Sequence, residues 1–194
     1  MFHGEGNVTT EPPRSTAVTG VVTADVLVSL SGLEFLQRIA DGRFPAPPIA
    51  ELLGFEPKEV EMGRAVFVST PDSRLYNPIG SAHGGYAATL LDSCMACAVH
   101  SMLKAGQGYT TVELKVNFVR PLSADMGEIR AEGKAIHVGR QIASAEGRLT
   151  DARGRLLAHA TTTCLVFSFP ASRGVGEAPD GAKSGMAADP HEGA

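Results

Sequence analysis

Little in this sequence invites a membrane, a nucleic acid or a disulfide framework. No apolar run approaches the roughly 20 residues needed to span a bilayer, and the first residues lack the basic-then-apolar order of a secretory signal, so a cytoplasmic protein without membrane contact is expected. Lys and Arg are scattered and the net charge is -4, which leaves no basic stripe for a phosphate backbone and makes nucleic acid an unexpected partner. The three cysteines, Cys94, Cys97 and Cys164, cannot all pair within one chain, and reduced thiols are expected. Cys94-Met-Ala-Cys97 has C-x-x-C spacing, but it falls inside a helical pattern rather than at a helix start. No second Cys or His pair at ligand spacing lies nearby, so small core residues are expected there and no metal. What is present suits one domain with appendages: 194 residues, 43% hydrophobic and 20% charged, enough to bury a real core.

Residues 1 to about 30 show no sustained amphipathic period and read as a loose leader, with some strand or helix near Val26 to Leu30. Ser31-Gly-Leu-Glu34 has the spacing of a capping box, and Leu33, Leu36, Gln37 and Ala40 continue at helical intervals up to Asp41-Gly42. Phe44-Pro-Ala-Pro-Pro48 is an extended linker, and Ile49 to Leu53 is one apolar turn closed by Gly54.

From Glu61 the pattern is extended, with a strand at Ala65 to Val68 that breaks at Pro71-Asp72. Between Gly85 and about Lys104, Ala87, Leu90, Leu91, Cys94, Met95, Ala98 and Met102 recur at helical spacing, which predicts a long helix of about 30 Å. Four extended segments follow, 110–119, 127–138, 141–151 and 155–167, and predict an antiparallel meander. In the first, Val112, Leu114, Val116 and Phe118 alternate with Thr111, Glu113, Lys115 and Asn117, giving one apolar face. The long helix is the large apolar partner available, so the element order predicts an α+β fold: a curved antiparallel sheet rolled around a central helix. Residues 1–44 are expected to be an N-terminal extension with a short helix, 45–169 the folded domain and 170–194 a disordered tail, poor in large apolar residues.

The chemistry concentrates in Asn77-Pro-Ile-Gly-Ser-Ala-His83-Gly84-Gly85 and in Asp92, the single carboxylate of the long helix. The glycines let the backbone turn tightly into a helix whose first amides are unpaired, and such amides bind an electron-rich oxygen. Asp92, on the flank of an Ala- and Leu-rich helix, loses solvation that partners must replace; it serves as a base or nucleophile, or else faces solvent or pairs with a cation of a neighbouring subunit.

Asn77 six positions before His83-Gly84-Gly85, Asp92 nine positions after the His, and Thr111-Val-Glu-Leu-Lys-Val-Asn-Phe-Val-Arg-Pro121 together resemble the hotdog-fold acyl-CoA thioesterases related to the phenylacetate-pathway protein, over about residues 45 to 168. The resemblance implies an acyl-CoA substrate hydrolysed to free acid and CoA without metal or organic cofactor. It implies Asp92 as general base or nucleophile and the Gly84 N–H as donor to the thioester carbonyl oxygen. It implies a catalytic Asn77 that orients water or substrate, and a His83 that shapes its loop more often than it moves protons. Thr111, with Thr110 beside it, matches a hydroxyl position near the attacking water; either is otherwise a β-branched strand residue. Gly85 and Tyr86 are implied as substrate-binding residues, the latter lining the acyl pocket with Leu90 and Met95. Arg120, Gly139 and Arg140 are implied for the CoA phosphates, where an Arg in a turn is otherwise a solvated surface charge. The family binds its nucleotide on the surface, so no Walker or dinucleotide fingerprint is expected, and none is present. Its active site is completed by a neighbouring subunit, which implies a homodimer or a homotetramer built as a dimer of dimers. The competing readings are a hotdog enoyl-CoA hydratase or dehydratase, and a non-catalytic acyl-CoA-binding protein. The position of Asp92 deep in the helix after Gly-Gly argues against the first, and its retention beside the thioester carbon against the second.

Overall fold

Three short helices precede the sheet, and the second and third have a local cause. The computed structural model describes residues 18–169, in which α1 is Ala24–Ser29, α2 Gly32–Ala40 and α3 Pro48–Leu53. The capping box is formed: Ser31 Oγ accepts from the Glu34 N–H, and the Glu34 carboxylate accepts from the Ser31 N–H. α3 opens with a proline at its first position and stops at Gly54 in the left-handed conformation. α1 falls where strand or helix is expected near Val26 to Leu30, and α2 where the capping box predicts a helix. The first part of the expected leader and the expected disordered tail lie outside the described residues.

The central helix α4 is Gly84–His100, and the strands are β1 Phe55–Glu61, β2 Arg64–Ser69, β3 Gln107–Phe118, β4 Ile129–Val138, β5 Ile142–Asp151 and β6 Leu156–Ser168. They form one antiparallel sheet in the order β1-β2-β4-β5-β6-β3. The expected α+β architecture holds, with three corrections. Extended structure begins at Phe55, not Glu61: β1 carries Glu56, Pro57, Lys58, Glu59 and Glu61, and an edge strand of that composition shows no alternation to read. The meander is β4-β5-β6 only, because β3 pairs with β6 at the far edge. Val119 and Arg120 both donate their N–H groups to the Leu157 carbonyl, which turns the chain away to reach β4. The helix ends at His100, short of Lys104, where Ser101 Oγ donates to the Ala98 carbonyl and accepts from the Gly63 N–H.

Ala87, Leu90, Leu91, Cys94, Met95 and Ala98 of α4 are at most 1% exposed. The helix lies close to the sheet because the row it crosses is mostly small: Ala65, Gly133, Gly147, Ala160 and Val116 are register partners from β2 to β3. A Cβ on Gly133 would stand 2.3 Å from the Cys94 carbonyl oxygen, and one on Gly147 2.9 Å from Met95 Cγ. The backbones of helix and sheet touch at Gly133, and a helix side chain fills the space over Gly147. Among the described residues no helix is long and apolar enough to cross a membrane.

Candidate active site

The approach to α4 is a tight hairpin-like turn. The Asn77 N–H donates to the Ser81 carbonyl at 2.8 Å, the Gly80 N–H to the Asn77 carbonyl at 3.1 Å, and the His83 N–H to the Leu75 carbonyl at 2.7 Å. The Asn77 side chain fills this turn: Oδ1 accepts from the Ile79 and Ser81 N–H groups, and Nδ2 donates to Ser81 Oγ at 3.2 Å. Two further bonds, from the Ala82 N–H to the Leu122 carbonyl and from the Ala124 N–H to Tyr76 Oη, tie the turn to the β3–β4 connection.

His83 is the helix N-cap. Its Nδ1 accepts from the Gly85 N–H at 2.9 Å, so the ring carries its proton on Nε2, and its carbonyl accepts from the Tyr86 N–H. That leaves the Gly84 N–H as the first helical amide without a protein acceptor among the described residues, at the positive end of α4. Gly84 lies beside a cavity of about 360 Å³ lined by Ser81, Ala82, Ala87, Phe118, Val119, Arg120, Pro121 and Leu122. The Phe118 ring crosses over the glycine, with Cζ 3.1 Å from where a Cβ would be.

Asp92 is half-buried and meets Thr111, whose Oγ1 donates to Asp92 Oδ1 at 3.0 Å. Thr110 is exposed, so Thr111 is the threonine that reaches the carboxylate. A bulge makes this possible: the register of β3 slips between Thr111 and Glu113, and Val112 is left 57% exposed. Upstream of the slip Tyr109 and Thr111 turn toward the helix; downstream Leu114 and Val116 do. The single apolar face expected for this strand, with Thr111 on the polar side, is therefore corrected at Val112. An out-of-phase aromatic, Tyr109, was the signal available in the sequence. Cys97 shares this neighbourhood, and burial, with Asp92 adding to it, pushes its thiol up to about 12. The Cys94 and Tyr109 acids are raised by burial too, which argues against a thiolate nucleophile here.

Gly84 and Asp92 are eight residues apart in one helix, about 12 Å along its axis. The other expected residues scatter. Gly85 spends its amide on the cap. Tyr86, expected to line the acyl pocket, is 4% exposed and donates its hydroxyl to Ser69 Oγ at 2.6 Å, while burial pushes its phenol up to about 12. It is a core residue with its hydroxyl satisfied, and so are the fully buried Leu90 and Met95, which the same expectation named. Arg120 lines the Gly84 cavity and bonds the Leu156 carbonyl. Gly139 closes the β4–β5 turn, its N–H donating to the Ile142 carbonyl, and Arg140 beside it is exposed. That turn sits at the Thr111 end of the sheet, since Thr111, Cys164, Ala143 and Val138 share one register row. Phe118 lies seven residues along β3, about 23 Å away, so one chain does not bring Arg120 and Arg140 together.

Residues 79–158 match the family model described as the thioesterase superfamily. Over that stretch, less than half of its length, the chain is similar to the thioesterase superfamily. The matched stretch holds the Gly84 turn, Asp92 and Thr111. Over 84 residues the chain is 36% identical to the proofreading thioesterase EntH of Klebsiella pneumoniae subsp. pneumoniae, an overlap of 43% of this chain and 60% of that protein's length. A phenylacetic acid degradation-related protein from Ralstonia eutropha JMP134 superposes with a TM-score of 0.62 at 29% identity, covering 68% of this chain and 98% of that one. A thioesterase-type protein from Streptococcus pneumoniae TIGR4, solved with coenzyme A, gives 0.55 at 26% identity, covering 60% and 88%. The fold is the hotdog fold, and the chain spans 60% of the length of the proofreading thioesterase it matches.

Proposed function

We propose that this protein hydrolyses acyl-CoA thioesters to the free acid and CoA. One observation carries the reading: a helix whose Gly84 amide has no protein acceptor among the described residues also carries a carboxylate at Asp92 oriented by the Thr111 hydroxyl. The amide receives the oxyanion that forms when the thioester carbonyl is attacked, and the helix dipole favours that charge. Asp92 either takes the proton of an attacking water, whose oxygen becomes the acid's second oxygen, or attacks the carbon itself to give a mixed anhydride that water then hydrolyses; in both, the CoA thiolate leaves and takes up a proton.

A single acyl carbon must lie within about 3 Å of both groups, and a separation of about 12 Å along one helix forbids that within one chain. The reading therefore requires a second copy, whose Asp92 meets this chain's Gly84. β3 suits such pairing. It is a sheet edge of 12 residues without proline, whereas the opposite edge, β1, is interrupted at Pro57. A two-fold axis across β3 sets its Phe118 end against the partner's Thr111 end, beside the partner's Val138–Arg140 turn. Arg120 at the cavity rim and Arg140 brought by the partner then flank the CoA phosphates.

The test is CoA release and free-acid formation from phenylacetyl, benzoyl, hexanoyl and palmitoyl thioesters, for wild type and Asp92→Asn. Hydrolysis that falls at least about a thousandfold in the variant, some 4 kcal/mol of barrier, supports the reading. A folded wild type inactive on every thioester, or an Asp92→Asn variant that turns over like wild type, removes it.

A further inference from the structure

Ser81 has no part in the chemistry above, yet it lines the cavity that Gly84 borders. Its hydroxyl oxygen accepts from Asn77 Nδ2 at 3.2 Å, and among the described residues its own proton has no protein acceptor. A hydroxyl carries one proton and two lone pairs, so a bond received from Asn77 leaves the proton to be given elsewhere. Asn77 cannot take it: Oδ1 already accepts from two backbone amides. The rest of the lining side chains are apolar except Arg120. The cavity thus presents two recognition groups of different kind, a neutral hydroxyl donor near Gly84 and a guanidinium. The first suits a neutral carbonyl oxygen and the second an anion.

A thioester carried on CoA offers those two acceptors in that order: two methylenes beyond the sulfur comes an amide, and the phosphates follow. We propose that the Ser81 hydroxyl donates to the carbonyl of the pantetheine amide nearest the sulfur, with Asn77 as the residue that fixes the hydroxyl. Asn77 then holds the Ser81 hydroxyl as well as the turn. The assignment rests on the proposed thioesterase reading and names the carrier it selects: a pantetheine thioester rather than any thioester.

The test compares kcat/KM of wild type, Ser81→Ala, Ser81→Thr, Asn77→Ala and the double alanine variant on one acyl group presented three ways: as the CoA thioester, as the N-acetylcysteamine thioester, which keeps that amide, and as the S-ethyl thioester, which lacks it. The expected result is a loss of about tenfold for Ser81→Ala on both amide-bearing thioesters, much smaller on S-ethyl, with Ser81→Thr recovering most of it. On the amide-bearing substrates the double variant is expected to lose no more than the worse single one, because the two residues form one unit. Equal losses on all three thioesters, or none on the CoA thioester, overturn the assignment and leave the hydrolase reading standing. Calorimetric titration with CoA, which carries the same amide, is read beside the kinetics. An inactive wild type that binds CoA more tightly than Ser81→Ala does sinks the hydrolase and keeps the contact. CoA binding that is absent, or indifferent to Ser81→Ala, in an inactive protein overturns both.

Discussion

Two residues of the candidate site can be tested without disturbing the fold. Gly84 is the first residue of α4, and His83 before it has φ -61° and ψ 136°, a conformation that tolerates a following proline. Gly84→Pro therefore deletes the N–H while removing no helical hydrogen bond. The added ring meets Phe118, which is 56% exposed in the single chain. We expect kcat to fall about 10²- to 10³-fold with a nearly unchanged Tm, measured by steady-state hydrolysis and thermal melting. At Thr111 the change to Val keeps the branched shape and removes the hydroxyl that orients Asp92. We expect about a tenfold loss of kcat with little change in KM.

At the scale of elements, function depends on two devices of the sheet. The Val112 bulge turns Thr111 toward α4, and the small row through Gly133 lets α4 lie close enough to be reached. A methyl group at Gly133 meets helix backbone, which does not rotate aside as a side chain does. Gly133→Ala is expected to destabilise the protein by about 3 kcal/mol, read from denaturant midpoints at constant slope. A neutral effect would mean that helix and sheet are less closely packed than this register requires.

At the scale of the molecule, α2 closes the far end of the core on His100. The His100 ring meets Phe35 and Tyr109 in tilted contacts, with centroids 5.6 and 5.2 Å away, and is 8% exposed. Burial pulls it down from 6.5 to about 4. The unfolded chain therefore binds a proton that the folded chain refuses between these values. The associated stability, about 3 kcal/mol, is complete above pH 6.5 and is lost as pH falls toward 4. His100→Gln should flatten the unfolding free energy between pH 6.5 and 4 in denaturant titrations; a slope equal to wild type would place the proton uptake elsewhere. The shared site makes a further prediction about assembly. Asp92→Asn and Gly84→Pro chains, each inactive alone, should regain activity after co-refolding, because one of the two sites in a mixed dimer has both groups intact. No recovery from demonstrably mixed dimers would put the site within a single chain.

Much of this was legible in the chain because local rules carry it. The capping box at Ser31, the stop at Gly54, the apolar face of α4 and the hairpins from β4 to β6 follow from spacing between near neighbours, and the His-Gly-Gly turn announced a helix start with a free amide. The rest depended on contacts between residues far apart in sequence. β1 became a strand because β2 supplied a ladder for its charged residues, and β3 stands at the sheet edge because it pairs with β6, some forty residues later, and not with β4 that follows it. Tyr86 looked like a pocket residue and became core once Ser69 stood opposite its hydroxyl. Periodicity marks which side of an element is apolar. Only the folded sheet, by placing a bulge at Val112, decided that Thr111 would face Asp92, and a helix rising about 1.5 Å per residue decided that Gly84 and its own Asp92 would stay apart.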